Sequence, residues 1–270
     1  MQRVEQKTEP LRFQNDDGDT LVGRLHRPLI AAPVGTAIFA HCFACSKNSI
    51  AAARICRALA EHGWQVLRFD FTGLGDSEGS FARTSFASNV RDIVAASNHL
   101  TALDGTPPAL FIGHSLGGTA VLAAAHKLPD AVAFATIGSP FLPRHVEKLI
   151  LSRAPDLPTK GRAKISLGGA PFYISSEFLD ALRGHGQADR VRELGRPLMI
   201  FHSPADAVVS IDNATAIFKT AQHPRSFVSL DQANHMLTDA ADAQMVGEML
   251  CAWAGRLVHS ANAHIDAHFE

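Results

Sequence analysis

The chain has 270 residues, of which 46% are hydrophobic and 19% charged, and its 25 basic and 26 acidic side chains leave a net charge of −1. This composition is typical of a globular protein with a sizeable core, and we expect one domain over residues 1–270. The balanced charge excludes nucleic acid as an expected partner. No apolar run approaches the roughly 20 residues of a membrane helix, so we expect no membrane partner. With a polar, acid-containing N-terminus and four cysteines, we expect a cytoplasmic protein.

The first half of the chain predicts a hairpin followed by alternating strands and helices. Residues 11–14 and 20–26 flank a turn-rich cluster, Asn15–Asp19, and predict a β-hairpin. The following apolar runs and helical spacings alternate. The predicted strands are Thr36–His41, Val66–Phe71, Ala109–Gly113 and Ala131–Ile137, and the predicted helices are Ser49–His62, Phe86–Leu103 and Ser115–Lys127.

This alternation is interrupted over residues 140–195. The interruption predicts a helix at Pro143–Ser152, a hairpin at Lys164–Ile174 turning at Gly168-Gly169, and a helix at Glu177–Gly184. The alternation then resumes with strands Pro197–His202 and Ser226–Leu230 and helices Ile211–Gln222 and Asp239–Val258. Repeated units of this kind favour an α/β fold with a mostly parallel central sheet and helices on both faces. We expect residues 140–195 to form a small cap insertion over the carboxyl ends of the strands, where such sheets bind ligands.

A glycine-rich turn lies where a predicted buried strand meets a helix, at Gly113-His114-Ser115-Leu116-Gly117-Gly118. In that context the G-x-S-x-G pattern indicates a nucleophile elbow, because a serine on so sharp a turn needs strained backbone angles and small neighbours. The helix also points its amino end at the serine, which favours an oxyanion there. The alternative is a glycine-rich turn with an idle serine, and we favour Ser115 as a nucleophile.

This turn resembles the nucleophile motif of the α/β-hydrolase superfamily, and the similarity extends over nearly the whole chain. Phe69–Ser77 resembles the D-x-x-G-x-G-x-S loop of many members. His41–Lys47 and Arg68–Gly75 together are similar to a bacterial branch that is often fused to an OsmC-type peroxiredoxin domain. The resemblance implies an α/β-hydrolase fold and a functional link to such a peroxiredoxin, and we expect the hydrolase domain alone in this chain.

A serine hydroxyl is a weak nucleophile, so a base oriented by a carboxylate must lie within hydrogen-bond reach. In the superfamily the acid and then the histidine follow the serine along the chain. Asp206 follows a predicted strand, at the position of the triad acid in similar proteins, and His235 follows the next strand. Asp212 and Asp231 compete for the acid's role, but Asp212 falls in the first turn of a predicted helix and Asp231 at a strand end. We therefore predict a triad of Ser115, Asp206 and His235, which requires no metal or organic cofactor.

For the other histidines we expect structural roles or none. Three of them end predicted strands near the site, and we expect them to pack and to form hydrogen bonds: His41, His114 and His202. His264 and His268 have i, i+4 spacing near the C-terminus, but no cysteine or carboxylate motif supports a metal site there.

The loop after the first parallel strand should supply the second amide of an oxyanion hole. By position, the predicted donors are the backbone N–H groups of Phe43 and Leu116. Cys42 stands where similar hydrolases carry glycine, so the loop must tolerate a Cβ or shift slightly. Cys42 and Cys45 also form a C-x-x-C pattern. We favour small buried side chains over a redox-sensitive pair, whose oxidation would distort the hole and lower activity.

Apolar residues near the strand ends and in the predicted cap suit an uncharged acyl or alkyl group. The pocket candidates are Cys42, Phe141, Leu142, Phe172, Phe178, Val209 and Met236. The two at 172 and 178 fit a small core of the cap equally well. We therefore expect hydrolysis of small to medium, largely apolar carboxylic esters through an acyl-enzyme. A thioesterase, acyltransferase or peptidase would use the same triad, and a low-turnover binding or redox-responsive partner of a peroxiredoxin system is an alternative of another class.

Overall fold

The computed structural model describes residues 3–43, 45–167, 170–183 and 186–266, with side chains described except at 166–172, 183 and 262–266. The predicted turn at Gly168-Gly169 lies outside these residues. In chain order the strands are β1 (Gln6–Gln14), β2 (Thr20–Pro28), β3 (Gly35–Ala40), β4 (Trp64–Phe69), β5 (Leu110–His114), β6 (Ala133–Ile137), β7 (Arg162–Leu167), β8 (Ala170–Ser175), β9 (Leu198–His202) and β10 (Arg225–Ser229).

Eight of these strands form one sheet in the order β1-β2-β4-β3-β5-β6-β9-β10. The pairs β1–β2 and β2–β4 are antiparallel, and the six strands from β4 to β10 along the sheet are parallel to one another. The predicted N-terminal hairpin and the mostly parallel sheet are therefore confirmed. β7 and β8 form a separate antiparallel pair.

Helices cover both faces of the sheet. In chain order they are α1 (Ile50–Glu61), α2 (Phe86–Asp104), α3 (Leu116–Ala124), α4 (His145–Arg153), α5 (Leu157–Lys160), α6 (Ser176–Arg183), α7 (Gln187–Arg192), α8 (Asp212–Thr220) and α9 (Ala240–Asp266). Every residue of β4, β5, β6 and β9 is buried, which explains why these strands are mostly apolar, with buried polar exceptions such as Gln65 and Arg68 of β4. Among the described residues, no helix is both long and apolar enough to cross a bilayer.

The core consists of two hydrophobic clusters, one on each face of the sheet. One cluster packs α2, α3 and α8 against the sheet. The other packs α1 and α9 against the opposite face and contains the fully buried Trp64 and the partly buried Trp253. The longest helix on the first face is defined at both ends. α2 begins with a capping box between Ser85 and Ser88 and ends at Gly105, whose φ is 72°.

The segment 140–195 connects β6 to β9 and contains α4, α5, β7, β8, α6 and α7. The two predicted helices and the predicted hairpin are present, whereas the short helices α5 and α7 were not predicted. Buried side chains of this segment, among them Ile150, Phe178 and Leu182, belong to the same cluster as α2 and α3. The described side chains of this segment therefore pack onto the main core of the molecule.

Candidate active site

Ser115 occupies the sharp turn between β5 and α3, with φ 53° and ψ −127°. Its N–H donates to the Ile137 carbonyl at the end of β6, with N and O 2.8 Å apart. The neighbouring glycines are required by close packing, since a Cβ at Gly117 would meet the backbone carbonyls of Ala40 and His41. The predicted strand–turn–helix context of the serine is present, with the strained backbone that such a turn needs.

His235 lies between Ser115 and Asp206. Its Nε2 is 3.1 Å from Ser115 Oγ, and its Nδ1 is 2.7 Å from Asp206 Oδ2. A carboxylate oxygen only accepts, so Nδ1 carries the hydrogen and Nε2 is left to accept from the serine hydroxyl. The structure thus brings together the three residues that the sequence predicts as a triad, at the carboxyl ends of β5, β9 and β10. The arrangement has the geometry of a nucleophile, a base and an orienting acid.

Asp206 is held by the loop that follows β9. Its Oδ1 accepts from the backbone N–H groups of Val208 and Val209 at 2.8 and 2.9 Å. Burial by itself raises the pKa of Asp206, but the hydrogen bonds from His235 and from these two amides outweigh it and lower the pKa below its ordinary value. The carboxylate is therefore ionised at neutral pH.

The two competing acids lie elsewhere. Asp212 is exposed in the first turn of α8, where its carboxylate accepts from Ser210 Oγ at 3.0 Å. Asp231 is exposed with φ 41°, and its backbone carbonyl accepts from Ser203 Oγ at 3.1 Å. The choice of Asp206 over both is consistent with this geometry.

Three buried histidines support the backbone around these residues. His114 Nε2 donates to the His235 carbonyl at 2.7 Å, and His202 Nε2 donates to the Val209 carbonyl at 2.8 Å. His41 Nδ1 donates to the Cys42 carbonyl at 2.7 Å. Burial lowers the pKa of all three, to about 4 for His114. The predicted packing and hydrogen-bonding roles of these histidines are confirmed.

The loop after β3 closes a tight turn around Phe43. Cys45 N–H donates to the Cys42 carbonyl at 3.2 Å, and a disulfide joins the two cysteines, whose Cα atoms are 5.3 Å apart. Cys42 is buried, as expected from the sequence, whereas Cys45 is partly buried and the bond between the two cysteines was not the favoured expectation. The turn explains the difference, because it brings the Cα atoms into the range that a disulfide spans. Across the site, Leu116 is the first residue of α3, so its amide is one of those without a carbonyl partner inside the helix.

An aromatic cage joins this loop to the 140–195 segment. It consists of Phe43, Phe81 and Phe178, whose ring centroids are 5.6 to 5.7 Å apart in each pair. Phe178 was predicted as a pocket residue, whereas Phe81 was missed. Phe81 lies in a short 3-10 helix at Phe81–Arg83 that follows the glycine-rich loop after β4. Only its apolar character in an otherwise polar stretch could have indicated it.

The other pocket candidates are spread around the site. Phe141 and Leu142 line a groove of about 550 Å³ between α4 and α8, beside the Asp206 loop and not over Ser115. Met236, next to His235, is 38% exposed. The side chain of Val209 is buried and its amide donates to Asp206, and its role as a lining residue stays a prediction. The side chain at 172 lies outside those described.

A buried ion pair behind the Phe43 turn was also missed. Lys47 Nζ donates to Asp70 Oδ2 at 2.5 Å and to Asp76 Oδ2 at 2.6 Å. Both aspartates belong to the D-x-x-G-x-G-x-S segment, which was the only sequence signal for them. Within the described part of the chain, no three histidine, cysteine, aspartate or glutamate side chains come together as candidate metal ligands.

Comparison with known proteins shows what the chain as a whole is similar to. A family model described as "Serine aminopeptidase, S33" (Hydrolase_4) matches residues 31–166, about half of the chain. The comparison with curated proteins returned no match.

Two solved structures illustrate the similarity of the fold. The esterase domain of a Rhodothermus marinus protein is 48% identical, with 93% of this chain and 99% of that chain covered and a TM-score of 0.77. Est1E from Butyrivibrio proteoclasticus, solved with ferulic acid bound, is 18% identical, with 92% and 99% covered and a TM-score of 0.79. The second likeness concerns the fold alone.

Proposed function

This chain belongs to the α/β-hydrolase family, and on that basis we propose that it is a serine hydrolase that cleaves small to medium, largely apolar carboxylic esters through an acyl-enzyme. The observation that carries the proposal is the position of His235, whose ring nitrogens lie 3.1 Å from Ser115 Oγ and 2.7 Å from Asp206 Oδ2. A base placed between a nucleophile and a carboxylate is what acyl transfer by serine requires.

In the proposed reaction, Ser115 Oγ attacks the ester carbonyl carbon while His235 Nε2 takes the hydroxyl proton. The tetrahedral intermediate then breaks its bond to the alcohol, which leaves with the proton returned by His235. The acyl group stays on Ser115 until a water, deprotonated by His235, attacks it and releases the carboxylic acid. Asp206, whose pKa is lowered, keeps the hydrogen on Nδ1 and stabilises the imidazolium.

We assign the oxyanion hole to the backbone amides of Phe43 and Leu116. The Leu116 amide belongs to the first turn of α3, where free N–H groups and the helix dipole favour negative charge beside Ser115. We also propose that residues 140–195 act as a cap over the site. The contact between Phe178 of this segment and Phe43 supports that role, because it joins the segment to the loop that carries one oxyanion donor.

The preference for apolar esters is supported by the aromatic cage. Phe81 and Phe178 are buried, and Phe43 packs against both, so the loop that carries one proposed oxyanion donor lies against an apolar wall. The Rhodothermus marinus domain, which is 48% identical, carries the name esterase, and this supports an ester as the substrate. An ester with an apolar acyl group fits this wall better than a charged one.

The proposal is tested by labelling the protein with a fluorophosphonate and locating the adduct by mass spectrometry. A p-nitrophenyl ester series from acetyl to laurate then measures kcat/KM against chain length. We expect a single adduct on Ser115 and an optimum among the short to medium esters. Ser115→Ala and His235→Ala should each lose the adduct and the hydrolysis. A wild-type protein that is folded but neither labelled nor active would refute the proposal.

A peptidase is the second candidate, because the matching family model is described as a serine aminopeptidase. The same three residues would cleave an amide, so the distinction depends on the substrate. Aminoacyl p-nitroanilides, tested beside the esters, separate the two activities. We expect ester hydrolysis to dominate.

The link to an OsmC-type peroxiredoxin stays a prediction from the sequence.

A further inference from the structure

Lys47 is a lysine with almost no access to solvent. Its side chain is 2% exposed, and the side chain of its partner Asp70 is fully buried. The ammonium group also reaches Asp76, whose side chain is 68% exposed. Lysine is almost never this buried without a partner, because an unpaired ammonium loses its hydration without compensation. The pair therefore fixes where Lys47 can lie.

Asp70 holds the main chain of Lys47 as well as its side chain. Its Oδ1 accepts from the Lys47 amide at 2.6 Å, while its Oδ2 accepts from Lys47 Nζ and from the Asp76 amide. The Lys47 carbonyl in turn accepts from the Arg68 guanidinium. The amide, the carbonyl and the ammonium of one residue are thus all bound. A carboxylate with three donors makes this a position of defined geometry, since charge-assisted hydrogen bonds are short and directional.

Both ends of the loop that carries Phe43 are attached to the same neighbouring segment. At the start of the loop, His41 Nε2 accepts from the Phe71 amide at 3.3 Å. At its end, Lys47 binds Asp70. Phe43 lies between these two attachments, within the turn closed by Cys42 and Cys45. The location of the Phe43 amide therefore depends on contacts with residues 70–76.

Stability alone does not account for such a pair. Replacing a buried ion pair by apolar side chains of similar volume is often neutral or stabilising, because desolvation of the two charges offsets their attraction. What the pair supplies is a fixed position for the loop. We infer that Lys47, held by Asp70, is a positioning residue for catalysis that sets the location of the Phe43 amide in the oxyanion hole; this rests on the serine hydrolase function proposed above.

The test compares variants that remove the pair with a matched control. Lys47→Met removes the ammonium and keeps much of the side-chain volume. Because it leaves Asp70 buried without its ammonium partner, the double variant Lys47→Met/Asp70→Asn, which removes both charges, is measured with it. The control is Asp92→Asn. Asp92 is a buried carboxylate that accepts from the amide and hydroxyl of Thr72, so it binds the same 70–76 segment through another residue.

The measurements are melting temperature, kcat and KM on the best ester, the inhibition constant of the matching trifluoromethyl ketone, and hydrogen exchange of residues 41–49. The ketone forms a tetrahedral adduct whose oxygen occupies the oxyanion hole. We expect the Lys47 variants to lose about 10²-fold in kcat with KM unchanged. Binding of the ketone should weaken in parallel with the loss of kcat, and amide hydrogen exchange should become faster in residues 41–49. Asp92→Asn should match the wild type in kcat and KM, in the inhibition constant of the ketone and in hydrogen exchange, even where its melting temperature falls.

An unchanged kcat in a folded Lys47→Met or double variant would overturn the inference. So would a loss confined to KM, or an equal loss of kcat in Asp92→Asn. A folded wild-type protein without hydrolase activity would refute the proposed function and leave this inference to the exchange measurement. In that case selective exchange in residues 41–49 of the Lys47 variants still supports the positioning role, and unchanged exchange overturns it.

Discussion

Ser115 has a backbone conformation that costs an L-residue of the order of 1–3 kcal/mol. The surrounding structure enforces it through the hydrogen bond to Ile137 and through the close approach of Gly117 to the carbonyls of Ala40 and His41. The same conformation holds the hydroxyl against His235. At this residue, stability and the proposed activity therefore make opposite demands on the backbone.

A direct test replaces Ser115 by glycine and by alanine. Both variants lose the hydroxyl, but glycine adopts positive φ without a steric penalty. We expect Ser115→Gly to be more stable than Ser115→Ala by about 1 kcal/mol in urea denaturation. Equal stabilities would mean that the turn is not strained in solution.

Asp206 should be essential for turnover. In Asp206→Asn the amide no longer fixes the hydrogen on His235 Nδ1, so Nε2 loses its role as base. We expect kcat to fall about 10⁴-fold at neutral pH, with the fold retained. Asp231→Asn is the control, because Asp231 is exposed and directs only its backbone towards Ser203. A comparable loss in Asp231→Asn would reassign the acid.

The three candidate catalytic side chains could be predicted because each one follows a predicted strand, buried for β5 and β9 and partly exposed for β10, and their order along the chain is fixed by the fold. The buried position of Lys47 could not be predicted, since a lysine in a loop is ordinarily exposed. The burial of Lys47 depends on Asp70, which directly follows β4. Only the pairing of β3 with β4 brings Asp70 next to Lys47. The bond between Cys42 and Cys45 was the less favoured alternative for a similar reason, because spacing alone does not show how tightly a turn closes.

At the level of elements, the 140–195 segment and the Phe43 loop are in apolar contact through Phe178. Phe178→Ala should open space beside the proposed acyl group and shift the optimum of the ester series towards longer chains. Leu182→Ala is the matched control, since Leu182 is equally buried on α6. It should cost about 2–5 kcal/mol of stability and leave the optimum unchanged. A shift in both variants would indicate a general loosening of the segment.

The disulfide gives the Phe43 turn a covalent closure, and it coexists with the intact Ser115–His235–Asp206 arrangement. Because this closure restrains the turn that carries the Phe43 amide, we propose that oxidation supports activity, the opposite of the hypothesis that it lowers activity. We expect a dithiol reductant, which converts the disulfide to two thiols and is itself oxidised, to lower kcat. Cys45→Ser should show the lower kcat with and without reductant. Equal kcat in oxidised and reduced wild type, with the thiols confirmed by mass spectrometry, would contradict this.

The regular elements were predictable where their periodicity is long. All strands of the central sheet lie within two or three residues of their predicted bounds, apart from the longer N-terminal hairpin. The short α5 and α7 were missed, because four to six residues are too few to establish a helical period. α9 continues to Asp266, beyond the predicted end at Val258, since no glycine or proline stops it.

The whole molecule carries several neutral histidines in its interior. Burial lowers the pKa of His26 to about 3 and of His114 to about 4, and it lowers the pKa of His41 and His202 as well. In the unfolded chain these side chains titrate near pH 6.5. Between the two pKa values the unfolded state binds more protons than the native state, so the free energy of unfolding falls as the pH falls.

We expect stability to decline below about pH 6.5, with each histidine contributing up to about 1.4 kcal/mol per pH unit. Guanidinium denaturation at pH 7, 6 and 5 measures the slope. His26→Gln should reduce it, because a glutamine can replace the hydrogen bonds to Thr8 and Arg68 without titrating. An unchanged slope in that variant would mean that His26 is not neutral in the native protein.

The division of the core into two clusters has a spectroscopic consequence. Both tryptophans, Trp64 and Trp253, lie on the face covered by α1 and α9, whereas the aromatic cage lies on the opposite face. Indole emission will therefore report the integrity of the sheet and stay silent about events at the Phe43 turn. Global unfolding and the state of that turn can be followed separately in one sample, without introducing a label.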